Sequence, residues 1–70
     1  MLQRSFENCG RVHRFLVTHD ARGWNVVEEE GTRVILAHHH DDWRHVERDI
    51  LTFQLTAHAL ERDGWVERES

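Results

Sequence analysis

The hydrophobic period of this 70-residue chain changes once, and that change limits the fold more than any other feature. Ahead of Asp41 the apolar residues tend to alternate with polar ones, as along a strand. Beyond it Val46, Ile50, Phe53, Ala57 and Leu60 recur at spacings of 4, 3, 4 and 3. That is the stripe of an amphipathic helix. Leu51, Leu55 and Ala59 form a second, adjacent row, while Arg48, Glu61 and Arg62 keep to the polar side. Asp41 or Asp42 can open the helix, because a carboxylate there accepts the orphan N–H groups of the first turn. With Gly64 just past the helix end, Leu60 and Trp65 take the two positions whose contact closes a Schellman cap. The spacing predicts a helix over 42–63, about 22 residues or ~33 Å long.

Three strands are predicted ahead of it. "RVHRFLVTH" from Arg11 is rich in β-branched and aromatic residues, with His13, Phe15 and Val17 on one face. "DARG" (Asp20 to Gly23) is a turn by composition, "WNVVE" alternates, and "EEG" (Glu29 to Gly31) is the next turn. "TRVILAHHH" completes the set, with Val34, Leu36 and His38 opposite Ile35, Ala37 and His39. Connections this short force neighbouring strands to run antiparallel. Residues 1–10 have no strong period and are predicted to form a flexible arm, although Leu2 and Phe6, four apart, leave a helical turn open. The expected fold is α+β: one small domain over 1–70, with a three-stranded antiparallel meander over 11–40 and one long C-terminal helix on one sheet face. A seven-residue strand spans only about 23 Å. The helix should therefore overhang the sheet, or something else should cover its surplus.

Composition narrows the class. Cys9 is the single cysteine, so no internal disulfide forms and the oxidised, secreted class loses its main support. No apolar run approaches the ~18 residues of a membrane span, and the polar start "MLQRSFENCG" has no signal-peptide core. A cytoplasmic protein with no membrane partner is expected. The formal charge of −4 argues against an electrostatic grip on nucleic acid. All nine basic residues are arginine, which fits a GC-rich bacterial genome.

A chain this short has a marginal core. One helix covers one sheet face, each strand carries apolar groups on both faces, and no proline blocks an edge. A homodimer or a complex with another protein is therefore expected. Trp43, Leu51 and Leu55, with a strand edge, are the candidate interface. The alternative is a monomer in which Trp24, Trp43 and Trp65 cover the surplus. Trp43 would then pin the helix to the sheet.

The densest chemistry lies at "HHHDDWRH" (His38 to His45), in a chain with seven histidines. His38 and His40 point to one side of a strand, and Asp41 and His45 lie about one helical turn apart. Together they are the candidate metal ligands, with zinc as the candidate ion. HExxH and paired-cysteine motifs are absent. The competing reading is a solvated strand end followed by helix-capping aspartates. Catalysis has little support. Cys9 could serve as a nucleophile beside a histidine, but it lies in the least structured segment, and no glycine-rich phosphate loop is present. The chain is not expected to be an enzyme.

The order of strand, Gly-Trp-x-Val strand, strand and helix is carried by Gly23, Trp24, Val26, Gly31 and the helix from Asp42. It resembles that of small bacterial domains of unknown function. It is also similar to the partial RNase H-like fold of HicB-type antitoxins. The resemblance covers about residues 11–63 and is architectural. It implies a partner that binds and masks a small toxin. The chain departs from that family in lacking a Pro- and Gly-containing stretch between its second and third predicted strands and a DNA-binding extension. The expected function is a non-catalytic protein-interaction module that self-associates. The alternatives are a metal-binding domain built on the His38–His45 cluster and an antitoxin-like partner.

Overall fold

The computed structural model describes residues 2–68. Strands β1 (Leu2–Asn8), β2 (Arg11–Asp20), β3 (Gly23–Glu30) and β4 (Arg33–His40) precede helix α1 (Trp43–Arg62), and β5 (Val66–Arg68) follows it. All pairings are antiparallel, and the strand order is β4-β3-β2-β1-β5. The fold is α+β, but among the described residues the sheet has five strands rather than the expected three.

The extra strands lie where the sequence is least periodic. Residues 2–8 of the expected arm form β1, fully paired with β2 from Leu2↔Val17 to Asn8↔Arg11. Its core side carries Leu2, Arg4, Phe6 and Asn8, so polar residues interrupt the apolar alternation. Arg4 is accommodated because its guanidinium lies over the Phe6 ring and forks onto the Glu67 carboxylate at 2.8 and 2.9 Å. A two-residue turn joins β1 to β2. Cys9 (φ 51°) and Gly10 (φ 80°) both adopt the positive φ that tight hairpins need. Met1, the first residue of the expected arm, lies outside the described residues.

The helix ends form as expected. Asp42 Oδ1 accepts the Arg44 backbone N–H at 2.9 Å. At the other end the Trp65 N–H donates to the Leu60 carbonyl at 2.9 Å and the Gly64 N–H to that of Glu61 at 3.1 Å, the paired bonds of a Schellman cap.

The length of α1 follows from the sheet. The helix leaves the lower end of edge strand β4, in the row His19–Trp24–His40, and delivers the chain to the upper end of β5, in the row Val12–Glu7–Val66. Five strands put the edges about 19 Å apart, and the seven residues from Val12 to His19 rise about 23 Å. The diagonal is about 30 Å, the length of a 20-residue helix. The helix does not overhang the sheet, because β1 and β5 widen it.

The core lies between α1 and one sheet face. Phe6, Phe15, Val17 and Val26 from the sheet meet Val46, Phe53 and Ala57 from the helix, all buried. Phe53 stacks on Phe15 with ring centroids 4.6 Å apart, and Phe6 meets the Phe15 edge at 5.9 Å. A polar pair enters this layer. His13 Nε2 and Glu28 Oε2 are 2.7 Å apart, with His13 beside the Phe15 and Trp65 rings. Burial without a partner would be unfavourable for either group, and each supplies the other's hydrogen bond.

Candidate functional site

Two features remain once the core is assigned: a polar cluster where β4 meets α1, and the sheet face that the helix leaves open.

The cluster follows from strand register. Val26↔His38 and Trp24↔His40 place both histidines on the helix side of β4. His39 points to the opposite face, where its Nε2 lies 3.6 Å from Asp20 Oδ1. On α1, Asp49 faces the two histidines. Its Oδ2 is 2.7 Å from His40 Nε2 and 3.3 Å from His38 Nδ1. One potential ligand atom from each of the three residues lies within 4.8 Å of the others. His40 and Asp49 are largely shielded, while His38 is half open to water. The His45 ring stands 5.5 Å from that of His40, centroid to centroid.

Of the residues singled out from sequence, His38 and His40 thus converge with Asp49, while His45 stands beside His40 outside the converging set. Asp41 lies in the bend ahead of the cap, outside the helical register, and is not among the three whose ligand atoms converge. Asp49 takes the place that Asp41 had in the sequence reading. The signal for it is its position four residues after His45, which puts both on one helix face. It becomes legible only once β4 is known to lie against that face.

The capping charge is well held. Hydrogen bonds from the Arg44 side chain and backbone N–H bring the Asp42 carboxyl down to about 2 from its ordinary 3.8. In the β2–β3 turn, the Asn25 amide and the Arg22 N–H hold Asp20 below the usual carboxylate range.

The second feature is the helix-free face. Leu16, Val27 and Ala37 form a row across β2, β3 and β4. Beside it a bulge in β4 pairs Glu28 with Leu36 but Glu29 with Val34, leaving Ile35 as the extra residue. Val34 and Ile35 are 53% and 48% exposed. Among the described residues, no element covers this face. It also holds Arg14, whose Nε is buried with no hydrogen-bond partner among them. Arg14 stands opposite Glu29 in the register, and Arg68 lies 3.5 Å from Glu7, so the face mixes acids and bases with its apolar row.

The other candidate interface residues divide. Trp43 has its ring edge-on to Trp24, with centroids 5.3 Å apart, and is still 43% exposed. Leu51 and Leu55 stand on the outer side of the helix, 61% and 73% exposed. Cys9 is exposed in its hairpin turn. No helix among the described residues is long and apolar enough to cross a membrane. The chain matches no family model, no curated protein and no solved structure.

Proposed function

We propose that this protein is a non-catalytic interaction module that self-associates through the helix-free face of its sheet. The observation that carries the reading is the uncovered apolar row Leu16, Val27 and Ala37, extended by Val34 and Ile35 at the bulge. A sheet normally buries both faces, or keeps one polar. This face is neither buried nor uniformly polar.

One further fact supports it. The folded chain exposes 5104 Å²; a compact monomer of 8.4 kDa exposes roughly 4600 Å².

The test is sedimentation equilibrium on wild type, Ile35→Asp and Leu55→Asp. Full burial of an isoleucine side chain contributes about 1.5–3 kcal/mol, so covering its exposed half contributes about 1 kcal/mol. Symmetry doubles that to about 2 kcal/mol, roughly thirtyfold in dimer Kd. Ile35→Asp should weaken association by at least that factor, and Leu55→Asp should leave it unchanged. The reverse ranking would place the interface on the helix row, and an Ile35→Asp protein that associates as wild type would sink the proposal.

A further inference from the structure

We infer that His38, His40 and Asp49 bind one divalent transition-metal ion of the zinc class, with His45 as the fourth ligand. The inference does not depend on self-association, since the cluster lies on the helix side of the sheet.

The geometry is close to what such an ion needs. Bonds of about 2.0–2.1 Å at tetrahedral angles put neighbouring ligand atoms about 3.3 Å apart. His38 Nδ1 and Asp49 Oδ2 are already 3.3 Å apart. His40 Nε2 and the same oxygen are 2.7 Å apart and must open by roughly 0.6 Å. That movement is within reach of small side-chain rotations. His45 precedes Asp49 by one helical turn; its exposed ring stands 5.5 Å from that of His40, centroid to centroid, and must swing inward to bring a nitrogen to the three converging ligand atoms.

Two elements supply the ligands, and each is anchored. The histidines of β4 alternate on a strand paired along its whole length with β3. Asp49 and His45 flank Val46, which is fully buried against the sheet. A simple hydrogen bond between β4 and α1 would need one histidine and one carboxylate. Here two rings converge on one carboxylate oxygen and a third stands beside them. Three imidazoles and a carboxylate suit zinc and its neighbours rather than calcium or magnesium, which prefer all-oxygen shells. Bound metal would cross-link the edge strand to the start of the helix and so stabilise the fold.

The experiment uses full-length protein made without a tag, never exposed to a metal column and stripped with EDTA. Zinc chloride is titrated calorimetrically, and the protein is then weighed by native mass spectrometry. Cobalt(II) supplies a separate readout through the visible bands of a four-coordinate site. The expected result is one zinc per chain. His38→Ala, His40→Ala, His45→Ala and Asp49→Asn should each weaken it by roughly tenfold or more. His39→Ala, on the opposite face, and His58→Ala should leave it unchanged. Circular dichroism confirms that each variant folds, and half-exposed His38 offers a substitution that does not touch the core. Absence of binding up to about 1 mM zinc would overturn the inference. So would several weak ions per chain, or equal losses on substituting His39 or His58; these would mean unspecific histidine binding.

Discussion

Gly23→Ala is the substitution that most sharply couples the fold to the cluster. Gly23 ends the β2–β3 turn at φ 139°, where side chains are strained, and a Cβ there would sit 2.3 Å from the His40 carbonyl oxygen and 3.1 Å from the Asp41 Cα. Both obstacles are backbone, so the chain at the β4–α1 junction must move. The strained φ costs about 1–3 kcal/mol. Disturbing the last rung of the β3–β4 ladder adds about 1 kcal/mol. The total is roughly 2–4 kcal/mol, against about 4–10 kcal/mol for a whole domain of this size. The melting temperature should then fall by roughly 10–25 °C. Gly10→Ala is the natural control, because Gly10 also has positive φ but an added Cβ meets nothing within 4 Å. Urea and thermal unfolding followed by tryptophan fluorescence give both values. Gly23→Ala should exceed Gly10→Ala by more than about 1 kcal/mol, and it alone should shift the His40 ring resonances. Equal losses for the two variants would refute the close approach between the β2–β3 turn and the β4–α1 junction.

Two other outcomes follow from the polar contacts. Glu28→Ala leaves the buried His13 ring without its partner and should destabilise by about 1–3 kcal/mol in urea unfolding; a loss below about 0.5 kcal/mol would mean that water reaches the pair. The Asp42 carboxyl is depressed from 3.8 to about 2 in the folded chain. Its stabilisation is therefore complete above about pH 4 and lost as pH falls towards 2. Asp20, Glu30 and Glu67 are shifted in the same direction by Asn25, Arg11 and Arg4. Acid melting followed by helical circular dichroism should steepen in that window. Asp42→Asn, which caps without titrating, should make it shallower while Asp20, Glu30 and Glu67 keep their share, and an unchanged profile would contradict the Asp42–Arg44 contact.

What the sequence made legible was what depends on neighbours along the chain. The meander of β2 to β4, the capping by Asp42 and the Leu60–Trp65 closure each rest on residues a few positions apart. The two added strands depend on partners far away. Arg4 is tolerable on the core side of β1 only because Glu67 arrives more than sixty residues later. β5 is three residues long and needs β1 to exist. The same reason hid Asp49. The shared side of His38 and His40 can be read from strand alternation, but their carboxylate comes from a helix face set by the diagonal crossing. The apolar groups on both faces of the strands were visible from sequence, and the β4 bulge that exposes Val34 and Ile35 together was not.

Self-association is tested most directly by native mass spectrometry on tag-free, metal-free protein near micromolar concentration. The expected result is a species at twice the 8.4 kDa chain mass, with no metal adduct. A spectrum holding only the single-chain mass would contradict self-association through the open face. A double mass that forms only after zinc is added would move the association from the sheet face to the histidine cluster.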